Sequence, residues 1–353
     1  MSIQTVVKES SPLNTSSLIN DDTVSVVIPC YNEERFIGKA LEQLAGQFPP
    51  HRYEIIVVDG LSNDRTRAVI GEFQELHPDL RVSIVDNPAR NIPTALNLGV
   101  SAAHGNIIAR MDAHAVPSSG YIRRCVEVLK DNENGVVGSP CRVRPANESI
   151  TARAIAIGVS HPFGIGDAKY RLNEDGAGQE SVDTVAFSCF HKKLWETLGG
   201  FNESLLTNED YDFNYRVRQS GGTVLLDRAE HCDYFARSTL TSLAHQYWRY
   251  GKWKARMLKL HPRSIRIRHI VAPLFVASIP TLVIVGLVQP LIFMLLALEV
   301  GVYLSLALWF AWRGSRHTKN AGAVMLVLTL AFLTIHLAWG TSFFVGLLRN
   351  SAE

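Results

Sequence analysis

Two apolar stretches constrain this chain more than any other feature. From Ile270 to Trp312 the one residue drawn from Asp, Glu, Lys, Arg and His is Glu299, and from Ala321 to Leu348 it is His336. A bilayer core takes about 20 apolar residues per helix, so the first stretch has room for two spans and the second for one. The pattern predicts three transmembrane helices over residues 270–348, the first pair turning near Val288-Gln289-Pro290, with Pro273 and Pro280 inside the first. A buried helical core is the alternative, but it needs amphipathic helices to cover it.

Charge divides the chain at the same place. Residues 1–233 hold 22 Lys and Arg against 31 Asp and Glu, whereas Tyr234–His269 hold nine Lys and Arg and no acid. Basic residues beside membrane segments favour the cytoplasmic side, and Arg313, Arg316 and Lys319 fall on that side too if each stretch crosses as counted. This places residues 1–269 in the cytoplasm and the C-terminus outside, in a multi-pass protein of the inner (cytoplasmic) membrane. Tyr247, Trp248, Tyr250 and Trp253 are interleaved with Arg249, Lys252, Lys254 and Arg256, which predicts a basic interfacial segment over 236–269 resting on anionic lipid. Nucleic acid is the other partner for such a patch, and the adjoining spans argue for lipid and against it. The five cysteines are widely spaced with no Cys-x-x-Cys pair, as expected of reduced core thiols. Residues 1–22 are polar, without the apolar core of a signal peptide, and read as a flexible tail.

Between tail and basic segment, residues 23–235 alternate strand and helix. Val24–Pro29, Tyr53–Asp59, Val82–Val85 and Ile107 onward are β-branched runs; helices are expected after Asn32-Glu33-Glu34, from Asp64 through Phe73, and around Pro93–Ala103. That spacing predicts parallel βαβ units and a three-layer α/β sheet.

The run Ile107–His114 ends in an acid and an imidazole. As a strand it would carry Asp112 and His114 on one side, spaced to share a divalent cation at the carboxyl end of the sheet. On these residues alone a second reading stays open, in which Asp112 caps a helix near Pro117-Ser118-Ser119 and His114 is a surface residue. Asp59 also ends a strand, placed to accept hydrogen bonds from a base or ribose, while Asp64 reads equally well as a turn cap. Neither G-x-x-x-x-G-K-[ST] nor G-x-G-x-x-G occurs, which counts against P-loop NTPases and dinucleotide dehydrogenases.

From Val24 to Lys259 the chain resembles the family 2 glycosyltransferases, enzymes of glycosyltransferase-A fold. The matching pieces are Ile28-Pro29-Cys30-Tyr31-Asn32-Glu33-Glu34, Val57-Val58-Asp59-Gly60-Leu61-Ser62-Asn63-Asp64-Arg65-Thr66, Asp112-Ala113-His114 in place of Asp-x-Asp, Asn208-Glu209-Asp210, and Gln246-Tyr247-Trp248-Arg249-Tyr250. Asp-Ala-His and Tyr250-Gly251-Lys252-Trp253-Lys254 are most similar to membrane-attached exopolysaccharide enzymes of the succinoglycan-biosynthesis type.

The resemblance implies a fold and a set of roles. The fold is the three-layer nucleotide-diphospho-sugar transferase sheet, followed by the transmembrane segment. Asp112 and His114 would hold Mg²⁺ or Mn²⁺ on the diphosphate of a UDP-sugar, the imidazole favouring Mn²⁺. Asp210 would be the general base. Pro29, Tyr31, Glu33, Asp59, Asp64, Arg90, Arg110, Asp112, Gln246 and Arg249 would surround the nucleotide and diphosphate. For Asn208-Glu209-Asp210 a helix start that favours acids is the plainer reading, and the two are compatible; Arg249 meeting lipid phosphate is the plainer reading of that residue. The implied activity is an inverting transfer from a UDP-sugar to a lipid-linked (polyprenyl diphosphate) saccharide in surface polysaccharide synthesis. Alternatives are a transferase that charges a polyprenyl phosphate directly, or an inactive membrane scaffold.

Overall fold

A computed structural model describes residues 22–172 and 178–348. The tail expected over 1–22 lies, Asp22 apart, outside the described residues.

In the first half, β1 (Val24–Cys30), β2 (Tyr53–Asp59), β3 (Arg81–Asp86) and β4 (Ile107–Arg110) alternate with α1 (Ile37–Ala45), α2 (Thr66–Leu76) and α3 (Ile92–Ala102). The strands lie in the order β3-β2-β1-β4, all parallel. β1 and β2 are apolar on both faces because each face meets its own core. Val26, Ile28, Ile55 and Val57 pack with Ile37 and Leu41 of α1 and Ile70 of α2, whereas Val27, Ile56 and Val58 pack with Leu96 and Val100 of α3. α3 comes so close at Gly99 that a Cβ there would lie 2.3 Å from Val27. Strand order reverses between β1 and β4, the place where open α/β sheets bind ligands.

The second half adds β5 (Val116–Pro117), α4 (Tyr121–Leu129), β6 (Val136–Gly138), β7 (Cys141–Arg144), α5 (Ile150–Gly158), α6 (Pro162–Ile165), β8 (Gln179–Ser181), β9 (Cys189–His191), α7 (Lys192–Leu198), α8 (Glu209–Gln219), β10 (Val224–Asp227) and β11 (Cys232–Phe235). These continue the sheet as β4-β9-β6-β10-β8, with β9 antiparallel to both β4 and β6, and build a second sheet β5-β11-β7. All five cysteines are buried and free.

The chain ends in α9 (Leu240–Leu260), α10 (Ile267–Val288), α11 (Ile292–Ser315) and α12 (Ala321–Leu348). The last three are long and apolar enough to cross a membrane. α10 and α11 turn where expected, at Gln289-Pro290-Leu291, and both prolines lie inside α10, which begins at Ile267 rather than at residue 270.

Two expectations need correcting. The strand through Ile107 stops at Arg110, so Asp112 and His114 sit in a turn beyond it, Ala115 N–H donating to Asp112 O at 3.0 Å, and strand periodicity does not align them. Nor does Asp112 cap the next helix: α4 starts at Tyr121 after Gly120, without a side-chain cap. The basic aromatic segment, in turn, is not laid open on headgroups. Tyr247, Trp253 and Lys254 of α9 are buried, because α9 packs lengthwise on α12 and uses its rings internally; Trp248 and Arg249 stay exposed.

Candidate active site

The loops leaving β1 and β2 are fastened to each other. Asn32 and Leu61 both adopt positive φ, and the Asn32 N–H donates to Ser62 Oγ (2.8 Å) while Asn63 N–H donates to Asn32 Oδ1 (3.0 Å). Asp64 accepts from Thr66 N–H (3.0 Å) and Glu34 N–H (3.2 Å), and so opens α2 and pins the β1 loop in one stroke. Asp59 is fully buried. Its carboxylate accepts from Ser62 N–H (3.1 Å), from the Ser62 hydroxyl and from Arg67 Nε (2.6 Å). Arg90, also at positive φ, donates to Gly60 O (3.0 Å) and lies 5.4 Å over the exposed Tyr31 ring. Pro29, Tyr31, Glu33, Asp59, Asp64 and Arg90 thus form one rim at the carboxyl ends of β1 and β2.

A second group gathers at the end of β4. The buried guanidinium of Arg110 lies 3.0 Å from Glu209, 3.6 Å from Asp112 and 4.0 Å from Asp210, the last two carboxylates being partly exposed. Glu209 and Asp210 open α8 after Asn208, which takes a left-handed conformation, so both acids stand at a helix start where the dipole favours them. Burial, against the pull of Arg110 and helped by Asp210 and Asp112, pushes Glu209 up to about 7. For Arg110 burial disfavours the charge, but Glu209, Asp112 and Asp210 outweigh it and hold the guanidinium protonated. His114 joins the two groups: its Nδ1 donates to Glu33 Oε1 at 3.2 Å. Burial lowers the imidazole's affinity for a second proton, yet Glu33 and Asp112 raise it above the ordinary value.

Arg110, Asp112, His114, Glu209, Asp210, Gln246 and Arg249 all line one cavity of about 1120 Å³. It continues from these polar residues to Phe275, Leu295, Leu298 and Val302 of the apolar helices, with Ile335, His336 and Trp339 of α12 in its wall. Gln246 is held by Tyr234 OH (3.0 Å) and Tyr250 OH (3.2 Å).

Residues 25–198 match the family model described as glycosyl transferase family 2. Over that span the chain carries a glycosyltransferase family 2 domain. This glycosyltransferase is 28% identical to the succinoglycan biosynthesis protein ExoA of Rhizobium meliloti (strain 1021), over 95% of its own length and 96% of the relative's. It is 27% identical to a dolichyl N-acetyl-alpha-D-glucosaminyl phosphate 3-beta-D-2,3-diacetamido-2,3-dideoxy-beta-D-glucuronosyltransferase of Methanococcus voltae, over 67% of this chain and 74% of that one. Its fold is shared with a mannosyltransferase of Pyrobaculum calidifontis solved with GDP-Man and Mn²⁺, at TM-score 0.60 and 20% identity over 90% of this chain and 87% of that one. A GalNAc-T7 structure with UDP, GalNAc and Mn²⁺ gives TM-score 0.50 and 17% identity over 69% and 51%. The glycosyltransferase-A fold is thereby established, with three apolar helices appended. The family places this glycosyltransferase in polysaccharide or glycolipid biosynthesis.

Among the described residues no group of three or more His, Cys, Asp and Glu is poised to hold a metal ion. The donors present still fit one. With Nδ1 donating to Glu33, His114 has Nε2 left to offer, and Asp112, near enough to act on the imidazole's charge, has a partly exposed carboxylate. Two protein donors suit a hard or borderline cation whose remaining positions are filled by phosphate oxygens and water.

Arg171 and Lys254 are among the cavity residues of this glycosyltransferase that sequence reasoning missed. Arg171 stands among Tyr170, Tyr234 and Tyr250, its guanidinium 5.2–5.9 Å from their ring centres; its one trace in the sequence is a Lys-Tyr-Arg triplet in an acidic half. Lys254, read as facing lipid, puts its Nζ 3.2 Å from the Tyr211 ring centre. Burial pushes its ammonium down to about 7, Asp210 pulling the other way.

Proposed function

We propose that this family 2 enzyme is a metal-dependent, inverting transferase that moves a sugar from a UDP-sugar to a saccharide carried on a polyprenyl diphosphate, in surface or exopolysaccharide synthesis. The observation that carries this reading is the continuity of the cavity, from Asp112 and Asp210 to the apolar inner faces of α10 and α11. A soluble acceptor has no use for the apolar end; an amphiphilic one fits both.

In this reading the nucleoside rests on the rim of Pro29, Tyr31, Glu33 and Arg90. Asp59 and Asp64 act by fixing the turn that forms the rim. Asp112 and His114 would hold Mg²⁺ or Mn²⁺ with the diphosphate, and the bound cation supplies charge neutralisation for the departing UDP. Asp210 accepts the proton of the acceptor hydroxyl as that oxygen bonds to the anomeric carbon and the bond to UDP breaks, so configuration at that carbon inverts. Glu209 holds Arg110, and Arg110 keeps Asp112 and Asp210 close without joining them. Gln246 and Arg249 face the acceptor and diphosphate side.

Membranes containing the protein, given a panel of nucleotide sugars with and without lipid-linked saccharide, should release UDP only when both substrates are present. Transfer to bare polyprenyl phosphate at the same rate would replace this acceptor assignment, and release from no UDP-sugar would overturn the donor.

A further inference from the structure

α12 has the composition of a transmembrane helix and the packing of a core helix. It is 28 residues long, about 42 Å at 1.5 Å per residue, so length alone permits a crossing. A helix that leaves a domain to cross a bilayer touches that domain at one end, whereas α12 touches it throughout. Near its start Val324, Leu328 and Phe332 pack with Ala154 of α5, and a Cβ on Gly158 would stand 3.3 Å from Leu328. Midway, Ala331 and Ile335 belong to the same core as Val26 and Ile28 of β1, and His336 Nε2 donates to Phe163 O at 2.8 Å. Towards its end a Cβ on Gly251 of α9 would lie 2.3 Å from Ser342 and 2.4 Å from Trp339 O, and Phe343 packs on Ala255 and Leu258.

Two of the elements covering α12, α9 and α5, cannot follow it into hydrocarbon. α9 carries Arg249, Lys252, Arg256 and Lys259, and a cationic side chain at the bilayer centre is strongly disfavoured. α5 follows β7, which is paired to β11 in the second sheet. What α12 leaves open is a single stripe, Gly322, Ala323, Leu326, Leu330, Leu337, Thr341, Leu347 and Leu348, all within one face of a 3.6-residue helix. α10 and α11 pack on α12 as well as on each other: a Cβ on Gly340 would lie 2.6 Å from Ala272 O of α10, Ala311 of α11 joins the cluster of Val324, Leu328 and Phe332, and His336 Nδ1 lies 2.8 Å from Tyr303 OH. Between themselves Phe275 stacks on Tyr303 at 4.4 Å and Ser278 Oγ donates to Glu299 at 2.6 Å, so the chain runs out along one and back along the other.

We infer that α12 lies in the plane of the membrane surface, with its leucine stripe on the acyl chains, and that α10 and α11 alone enter the bilayer. The sheet domain and Leu348 then occupy the same face of the membrane, not opposite faces as three crossings would require. Because Ile335, His336 and Trp339 line the cavity, this placement sets its apolar end level with the headgroup boundary. An amphiphilic acceptor would reach Asp210 without leaving the membrane; that consequence rests on the proposed acceptor, while the placement of α12 does not.

The test measures depth and sidedness on the full chain in phosphatidylethanolamine–phosphatidylglycerol liposomes, with no activity readout. Spin labels on Leu326→Cys, Leu337→Cys and Leu348→Cys, all at exposed positions, report depth through collisions with oxygen and a nickel chelate. The native cysteines are buried, so the unsubstituted chain supplies the labelling blank. An in-plane helix puts the three labels at one depth, about 5–10 Å below the headgroups. A crossing helix separates Leu337 from each of the other two by about 16 Å along the membrane normal, and a spread of that order overturns the inference. A membrane-impermeant maleimide should modify Leu348→Cys and Leu76→Cys, the latter 74% exposed on α2, from the same face of sealed vesicles. Modification from opposite faces also overturns it.

Discussion

The acids at the strand ends fall into two groups with opposite fates. Asp59 and Asp64, after β2, are consumed by the fold: the turn around Ser62, the start of α2 and the side chain of Arg67 use their oxygens. Asp112 and Asp210, after β4 and at the start of α8, meet Arg110 at 3.6 and 4.0 Å; Asp210 Oδ1 accepts from Tyr211 N–H at 2.7 Å, and both carboxylates stay partly exposed in the cavity wall. Position at a strand end therefore does not decide whether a carboxylate serves structure or chemistry. The supply of nearby N–H donors decides it, and a glycine- and serine-rich turn supplies many.

The largest expected effect lies in the open group. Asp112→Ala should abolish turnover and metal-dependent UDP binding while the thermal unfolding midpoint stays near wild type; full activity in EDTA would break the metal half of the comparison. Next, Asp210→Asn should lower transfer by about 10²- to 10⁴-fold with UDP affinity nearly unchanged, the usual worth of a general base. Glu209→Gln should cost much less, because buried Glu209 already titrates at about 7 and its amide resembles the protonated acid. If Glu209→Gln is the more damaging, the base is the other carboxylate.

In the spent group, Asp59→Asn should destabilise the fold by about 1–3 kcal/mol, the cost of leaving buried donors mismatched, with UDP affinity falling in parallel. Chemical denaturation and UDP titration on one preparation separate the outcomes, and lost UDP binding at full stability would move Asp59 to the open group. The smallest effect concerns His114. A proton and a cation compete for Nε2, and the folded imidazole holds its proton above the ordinary value. Metal-assisted UDP binding should therefore strengthen as pH rises through that raised value. His114→Asp should flatten this slope and move preference from Mn²⁺ towards Mg²⁺; an unchanged metal and pH profile would remove His114 from the ligand set.

The sequence made the parallel half of the sheet legible because β1 and β2 are seven-residue β-branched runs between helical periods. β6 and β9, of three residues each, are too short to show a period, so the antiparallel continuation was invisible. Asp112, Asp210, Gln246 and Arg249 were found by motif and do share a cavity. Arg110 was expected near the diphosphate, and its place between the carboxylates emerged only from the fold, since residues 110 and 209 are far apart in the chain. The basic aromatic stretch misled for a physical reason: rings and lysine stems suit a helix packed under another helix as well as one lying on lipid.

Arg110 gives the resting enzyme an internal cation. Three carboxylates that converged with nothing between them would repel and loosen the start of α8, and the fold would then depend on a metal ion to persist. With the guanidinium already fixed among them, loss of metal is expected to halt the reaction and leave the protein intact. Under the proposed metal dependence, such an enzyme would wait out metal scarcity and resume work when donor and cation arrive together.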